Sequence, residues 1–175
     1  MSQEVILVDE EDHPVGRREK LAAHVSGELH RAFSVFLFDA DGRWLLQRRH
    51  PDKYHSGGLW TNTCCSHPAP GEKTSAAATD RLRWEMGIAA PLDAAFQFLY
   101  RAEFDNQLIE HELDHVFTGR FDGDPVPNPT EVSEWRWLGT EEMLSEMDAH
   151  PERFTYWFRM VARRVHQHYA AMQPA

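Results

Sequence analysis

A cysteine and a histidine stand two residues apart near the middle of the chain, in the segment 59–72, which reads LWTNTCCSHPAPGE. In an extended strand, residues i and i+2 point to the same side, so the thiol of Cys65 and the imidazole of His67 can share one cavity. The Pro-Ala-Pro-Gly run that follows enforces a turn. A proton donor or soft nucleophile beside a metal-type ligand on a rigid corner is typical of an active site. The alternative is a structural cysteine next to an ordinary histidine, since free cysteines are often simply buried.

A second group of reactive side chains lies in the alternating segment 109–121, whose even positions include Glu110, Glu112 and Asp114. In a strand these carboxylates project from one face, about 7 Å apart at i and i+2. If that face meets solvent, the pattern has little meaning. If it faces the Cys65 and His67 corner, the carboxylates need cations to stay charged there. The sequence of the strand leaves both alternatives open.

Length and charge limit the class of protein. The 175 residues predict a single domain over 1–175, and 42% hydrophobic with 26% charged residues is ordinary for a soluble globular chain. The net charge is −10 with all 11 histidines neutral, which argues against a general nucleic-acid binder. A small phosphorylated ligand remains compatible, held by a few local Arg and Lys side chains and accompanied by a divalent cation.

The cysteines and the N-terminus indicate a compartment. The two cysteines, Cys64 and Cys65, are adjacent, which is a poor geometry for a structural disulfide and predicts a reducing cytoplasm. The first ten residues lack the basic start and apolar centre of a signal peptide. No apolar run reaches the roughly 18 residues of a membrane span. We therefore expect a cytoplasmic protein that acts as a monomer, without a membrane or nucleic-acid partner.

The hydrophobic pattern predicts five or six strands, with helices at the middle and end of the chain. The predicted strands span 4–8, 31–38, 43–49, 96–104, 109–121 and 135–138, and a tight turn at 39–42 makes the second and third a hairpin. Helices are predicted over 74–86, from Thr140, and from Pro151. The spacing of Arg81 and Glu85 on the first of these helices predicts, by itself, a solvated ion pair. The order of elements predicts an α/β or α+β sandwich.

Several motifs occur in a recognisable order along the chain. The most specific is Trp-Thr-Asn-x-x-Cys-x-His-Pro at 60–68, and Glu-x-Glu at 110–112 supports it. Together they resemble the type I isopentenyl diphosphate isomerases, which have the Nudix fold. The resemblance runs from about residue 5 to about residue 160 and implies a mixed central sheet sandwiched between helices. The other matching motifs are Lys20-x3-His24, His30-x-Ala-Phe-Ser34, Arg48-Arg49, Gly71-Glu72, Arg81-x3-Glu85-x-Gly87 and Tyr100-Arg101.

The chain departs from the general Nudix box, Gly-x5-Glu-x7-Arg-Glu-U-x-Glu-Glu-x-Gly-U, where U is apolar. It has Ser66 for the first glycine, Asp80-Arg81 for Arg-Glu, and Trp84 for the first glutamate of the last pair. The carboxylates that a pyrophosphohydrolase uses to gather several metals are mostly missing, which favours isomerisation over hydrolysis. Two alternatives remain, a Nudix pyrophosphohydrolase of a nucleoside diphosphate derivative and a non-catalytic, metal-stabilised binding module. The box positions that the chain keeps are Glu72, Leu82, Glu85, Gly87 and Ile88.

The resemblance implies conversion of isopentenyl diphosphate to dimethylallyl diphosphate by a 1,3-allylic proton shift through a tertiary carbocation. Such chemistry needs an acid and a base that face each other across a dry pocket, and the resemblance assigns these roles to Cys65 and Glu112. It also implies that Tyr100 hydrogen-bonds to Glu112 and can relay the proton. Trp157 would offer its ring face to the cation. Packing in the core is the alternative role of Trp157, and one residue can serve both.

The resemblance also implies two ion sites and an anion site. Imidazole and carboxylate ligands suit Zn, Mn or Fe(II), with Mg possible, and the family pattern places them at His24, His30, His67, Glu110 and Glu112. The segment between the first two is one residue shorter than in the family, which could shift a ligand. A second ion, Mg²⁺, would bridge the diphosphate to Glu85 with help from the backbone carbonyl of Cys65. The diphosphate would be held by Lys20, Arg49, Lys53 and Arg81. Surface positions are expected for Arg48, His13, His50, His55, His150, His166 and His168.

Overall fold

The computed structural model describes residues 3–174. Its strands are β1 (Glu4–Val8), β2 (Pro14–Glu19), β3 (His30–Phe38), β4 (Trp44–Arg49), β5 (Trp60–Thr61), β6 (Cys64–Ser66), β7 (Leu92–Glu103), β8 (Ile109–Arg120) and β9 (Val132–Leu138). Its helices are α1 (Lys20–Ser26), α2 (Thr74–Met86), α3 (Thr140–Ala149) and α4 (Tyr156–Met172), and a short 3-10 helix spans Pro151–Arg153.

Strand β3 is the centre of the fold, and its sequence explains why. Its residues are apolar on both faces, as expected for a strand covered on both sides. Phe36 and Phe38 pack into a core cluster that contains residues of α3 and α4, whereas Phe33, Val35 and Leu37 pack into a cluster that contains residues of α2. The predicted arrangement of a sheet between helices is therefore confirmed, with α2 on one face and α4 on the other.

The sheet is mixed and strongly branched. Strand β8 pairs with β3 in parallel over the whole length of β3, and with β7 in antiparallel. Strand β6 also pairs antiparallel with β3. Strand β4 pairs antiparallel with β5 and β9, and β1 with β2. Strand β8 lies between β3 and β7, so each of its side chains has neighbours from both strands. This pairing positions the site.

Three details differ from the expectations. The described residues form nine strands, not five or six, and β4 meets β3 only at Phe38 and Trp44, so the predicted hairpin does not extend beyond its turn. The last helix begins at Tyr156, because Pro151 opens only the 3-10 helix. Strand β2 escaped prediction because it is an exposed, polar edge strand without apolar alternation.

Helix α1 also escaped prediction, although it holds two residues of the site. It has seven residues, too few to give a clear periodic signal. The carboxylate of Glu19 accepts hydrogen bonds from the amides of Leu21 and Ala22, and Gly27 ends the helix with a positive φ of 72°. Within residues 3–174, no helix has the length and apolar character needed to span a membrane.

Candidate active site and metal centre

The predicted site residues converge on one narrow pocket between the strand ends and helices α1, α2 and α4. Its volume, counted out to the mouth, is about 420 Å³. Three of the predicted residues, His24, His30 and Glu85, do not line the pocket itself. The predicted residues that line the pocket are Lys20, Arg49, Lys53, Cys65, His67, Arg81, Tyr100, Glu110, Glu112 and Trp157.

The strand register brings the histidines and the carboxylates together. His30 opens β3 directly opposite Glu112 on the parallel strand β8, and Tyr100 of β7 is the partner of Glu112 on its other side. One ligand atom each from His24, His30, His67 and Glu112 lies within 4.8 Å of the other three. The shorter spacing between the first two histidines therefore does not remove either from the cluster. The fifth predicted ligand, Glu110, forms a neighbouring group with His24 and His55.

The backbone orients the imidazoles for a ligand in the middle of the cluster. Nδ1 of His24 lies 2.7 Å from the carbonyl oxygen of Lys20, and Nδ1 of His30 lies 2.9 Å from that of Glu28. These bonds leave Nε2 of each ring for another partner. Nε2 of His30 is buried without a hydrogen-bond partner, 3.4 Å from a carboxylate oxygen of Glu112. A buried ring nitrogen that lacks a partner and lies beside a carboxylate fits a divalent cation.

The carboxylates also need a cation. The hydroxyl of Tyr100 lies 2.8 Å from Oε2 of Glu110 and 2.8 Å from Oε2 of Glu112, yet it has only one proton to donate. Burial, with both carboxylates nearby, raises the pKa of Tyr100 well above its usual value, so the phenol keeps that proton. Two carboxylates that are 2% and 4% exposed cannot both stay charged without positive charge beside them.

Proton affinities in the cluster follow from burial and contact. Burial lowers the pKa of His67 to about 3, so its ring is neutral and can offer a lone pair. Burial favours the neutral acid at Glu112, but His67, with Nε2 at 3.0 Å, and His30 outweigh it and hold the pKa of Glu112 well below its usual range. A neutral imidazole next to an ionised carboxylate is the protonation state that binds a metal.

The thiol of Cys65 lines the pocket beside one of its cations, Arg49. Its sulfur is 3.8 Å from Nη1 of Arg49, but burial outweighs that charge and raises the pKa of Cys65 to about 12. The thiol is therefore protonated at neutral pH. Cys64, its neighbour, points away into the core beneath α2, where it is fully buried. The strand alternation thus separates a cysteine that lines the pocket from one that packs in the core.

The predicted anion-binding cations line the same side of the pocket. Burial, together with the charges of Lys53, Arg81 and Arg49, lowers the pKa of Lys20, which shows how closely these charges are gathered. Glu131 forms ion pairs with both Lys53 and Arg81, the second at 3.0 Å. The four cations therefore outnumber the two carboxylates, Glu131 and Glu85, that pair with them.

The pair of Arg81 and Glu85 is not the solvated ion pair that its spacing alone predicts. The side chain of Glu85 is 2% exposed, and its carboxylate accepts from Nε of Arg81 at 2.7 Å and from the amide of Gln47 at 3.3 Å. Helix α2 packs against the sheet, so the face that carries this pair is inside the protein. Glu85 is consequently a buried carboxylate next to the anion-binding cations.

Trp157 forms the aromatic wall of the pocket and is 2% exposed. Its indole nitrogen donates to Oδ1 of Asn62 at 3.0 Å, which fixes the ring, and the guanidinium of Arg49 lies 5.3 Å from the ring centre. The ring therefore belongs both to the core beneath α4 and to the surface of the pocket, as its two expected roles require.

One expectation about the histidines is wrong. His55 is not at the surface but 6% exposed and inside the pocket, where its Nε2 lies 2.9 Å from Oε1 of Glu110. Tyr54, beside it, also lines the pocket, with its hydroxyl 3.4 Å from Nε2 of His24. The only local signal was a Tyr-His pair inside an otherwise polar loop, because long-range folding brings this loop over the cluster.

The fold and a family match define the class of protein. The NUDIX domain model matches residues 28–158. Among solved structures, that of DR0079 from Deinococcus radiodurans has a TM-score of 0.78 at 22% identity, covering 93% of this chain and 98% of the other. That of the MutT protein from Methanosarcina mazei has a TM-score of 0.66 at 20% identity, covering 79% of this chain and 94% of the other. The chain thus has a Nudix fold.

More similar sequences narrow the class. Isopentenyl-diphosphate Delta-isomerase 1 of Aromatoleum aromaticum is 52% identical over 165 residues, 94% of this chain and 93% of that protein. The isopentenyl-diphosphate Delta-isomerase of Pectobacterium atrosepticum is 50% identical over 170 residues, 97% of this chain and 95% of that protein. The chain therefore belongs to the isopentenyl-diphosphate Delta-isomerase family.

Proposed function

We propose that this protein isomerises isopentenyl diphosphate to dimethylallyl diphosphate in isoprenoid biosynthesis. The observation that carries this proposal is a single pocket lined by the Cys65 thiol, the Glu112 carboxylate and a group of cations. Relatives about half identical over nearly the whole chain are named for this reaction. The substrate is a small diphosphate, and the cytoplasmic location and monomeric state remain predictions.

The proposed chemistry is a proton shift across the alkene. One of Cys65 and Glu112 adds a proton to the double bond, a tertiary carbocation forms, and the other group removes a proton from the neighbouring carbon. Tyr100, which contacts the carboxylates of both Glu110 and Glu112, is placed to relay the proton on that side. A narrow pocket that excludes bulk water would protect the carbocation from capture.

The proposed role of Trp157 is to face the carbocation with its ring. A cation over a desolvated indole is stabilised by about 2 kcal/mol or more. The hydrogen bond to Asn62 keeps the ring plane fixed before the charge develops, so the stabilisation requires no reorganisation.

The proposed anion site consists of Lys20, Arg49, Lys53 and Arg81. The negative charges of a bound diphosphate would reduce the mutual repulsion of these cations. Without a ligand, Glu131 supplies part of the neutralising negative charge. A protein with a net charge of −10 can therefore bind an anion, since the charge is compensated locally.

Two ions complete the proposal. His24, His30, His67, Glu110 and Glu112 would hold a divalent ion such as Mn²⁺, Zn²⁺ or Mg²⁺, which would stabilise negative charge on the carboxylates and tune the acidity of Glu112. Glu85 would meet a diphosphate-bound Mg²⁺, with the carbonyl of Cys65 as a further ligand. Glu85 is not part of any three-residue ligand cluster found among residues 3–174, as expected where substrate oxygens supply most ligands.

Incubation with isopentenyl diphosphate and Mg²⁺ in deuterated water tests this proposal. Deuterium incorporation into both isomers without phosphate release is the expected result. Release of phosphate without exchange would instead identify a pyrophosphohydrolase. That alternative is disfavoured by helix α2, where Arg81 and the half-exposed Trp84 occupy positions at which the Nudix box has metal-gathering glutamates.

A further inference from the structure

His55 is placed like a working part of the site although no motif includes it. It lies in the loop between β4 and β5, which folds over the pocket. Its side chain is 4% exposed, and its Nε2 lies 2.9 Å from Oε1 of Glu110, itself 3% exposed. A buried imidazole nitrogen 2.9 Å from a buried carboxylate oxygen is not a chance surface encounter, because leaving either group without a partner would cost free energy.

The ring of His55 is held on several sides. It stacks on Phe104 with the ring centres 5.1 Å apart and the planes within 9°. The rings of Tyr54 and Trp157 meet it edge to face at 4.4 and 5.9 Å, and His24 stacks at 5.8 Å. The ring orientation is therefore fixed by packing, and Nε2 has one polar group to face.

We propose that His55 is a positioning residue for the metal centre, donating its Nε2 hydrogen to Oε1 of Glu110. The inference rests on the proposed metal site. The hydroxyl of Tyr100 contacts Oε2 of the same carboxylate, so His55 and Tyr100 hold Glu110 from its two oxygens. Each oxygen keeps a lone pair for an ion. Outer partners of this kind fix the rotamer of a ligand and typically contribute about 10- to 100-fold in metal affinity.

The contacts favour positioning over direct ligation. Nδ1 of His55 faces the hydroxyl oxygen of Ser56 at 3.4 Å, and the His24 nitrogen that would complete a second triad already belongs to the main cluster. The backbone carbonyl of His55 also accepts from Arg49 at 3.2 Å. A change of the His55 side chain leaves that backbone contact in place, so its effect should appear in metal binding and not in diphosphate binding.

The test measures Co²⁺ binding to the metal-free full-length protein by calorimetry, in the absence of diphosphate. His55→Gln keeps an amide N–H near the position of Nε2, whereas His55→Asn places it one methylene short of Glu110. His55→Leu keeps bulk without a donor. The control is His50→Gln, in the same loop, where the ring contacts the Asp52 backbone and none of the proposed ligands.

We expect His55→Leu and His55→Asn to bind Co²⁺ about 10- to 100-fold more weakly than wild type, with most of the affinity restored in His55→Gln. His50→Gln should match wild type. If His55→Leu does not fold, the Co²⁺ affinities of His55→Gln and His55→Asn still test the proposal. Equal affinity in these two variants overturns the proposal. So does a changed visible spectrum of Co²⁺ at saturation in His55→Gln, since that would make His55 a ligand.

A parallel isomerase assay on wild type separates this inference from the proposed function. If wild type binds Co²⁺ and the variants behave as expected, but isopentenyl diphosphate is not isomerised, only the proposed function fails. If wild type isomerises the substrate and Co²⁺ affinity does not respond to His55, only the positioning role fails.

Discussion

The pocket has two halves that are built in opposite ways. The imidazole–carboxylate half consists of His24, His30, His55, His67, Glu110 and Glu112. All of these residues except His67 are buried, and the sheet register sets the places of His30, Glu110 and Glu112. The cation half consists of Lys20, Arg49, Lys53 and Arg81, and parts of it remain open, with the Arg81 side chain 27% exposed. The first half is preorganised by backbone pairing, whereas the second is arranged by charge.

This difference separates two tasks. A rigid, buried half suits steps in which proton positions matter, because misplacement by even about 1 Å is costly to catalysis. A more open half suits capture of a charged group that can arrive with its own hydration. Changes in the first half should therefore lower kcat, and changes in the second should mainly raise KM.

The largest effect is expected where the two halves meet across the alkene. Cys65→Ala and Glu112→Gln should each lower kcat by about 10³-fold or more, since each removes one end of the proton shift. Steady-state assays with isopentenyl diphosphate measure this. Cys64→Ala is the matched control, because that thiol packs in the core beneath α2, and it should keep most of the activity. Near-full activity in Cys65→Ala would discredit both assigned roles.

A second large effect concerns the reactivity of Cys65. A thiol beside Arg49 would ordinarily be activated, but burial raises its pKa from 9.0 to about 12. Because each pKa unit changes the thiolate fraction tenfold, the fraction at pH 8 falls by about three orders of magnitude. Below the pKa the thiolate fraction grows with pH, so alkylation by iodoacetamide should be slow and keep accelerating beyond pH 10.

Mass spectrometry that resolves Cys65 from Cys64 measures the alkylation rate at each pH. A rate that levels off near pH 8 would mean that the cation half, and not burial, sets the state of the thiol. Added inorganic pyrophosphate provides a control, since a ligand on the cations should shield the sulfur without changing the sense of the pH dependence.

The sequence allows much of this fold to be predicted, and the reasons are local. The predicted bounds of helix α2 match the observed ones, because Gly87 ends the helix. Strands β3 and β8 carry long apolar or alternating runs. By contrast, α1 and β2 have no strong pattern of their own, because a cap from Glu19 and pairing with one neighbour stabilise them.

The site was predictable to the extent that motifs carry it. The family motifs mark Cys65, His67, Glu110 and Glu112, whose spacing alone leaves their roles open. His55 and Glu131 do not, because each acquires its role from a partner far away in the chain, Glu110 for the first and both Lys53 and Arg81 for the second. Tertiary contacts of this kind leave no periodic trace in the sequence.

A smaller effect is expected in the cation half. Lys53→Met removes one charged donor to the diphosphate, a contact worth about 1.5–3 kcal/mol, and should raise KM about 10- to 100-fold with a much smaller change in kcat. Initial-rate kinetics over a range of substrate concentrations measure both. Arg48→Met is the control, since Arg48 pairs with Glu134 outside the pocket. A fall in kcat at constant KM would contradict the claim that the cation half serves mainly to bind the diphosphate.

The smallest effect is expected at Trp157, which borders both halves. Loss of about 2 kcal/mol of cation stabilisation corresponds to a roughly 30-fold fall in kcat for Trp157→Leu. Trp157→Phe keeps a ring face but loses the bond to Asn62, so its kcat should lie between those of wild type and the leucine variant. Both variants also remove core volume, so thermal unfolding must be measured alongside the kinetics.

Phe158→Leu separates catalysis from packing at this position. Phe158 is the next residue of α4, is fully buried, and does not line the pocket. It should lose stability, as core truncations do, while kcat stays close to that of wild type. If Phe158→Leu lowers kcat as much as Trp157→Leu, the indole acts only through the core. If kcat falls only at Trp157, its ring meets the developing charge, and the boundary between the halves is where the carbocation forms.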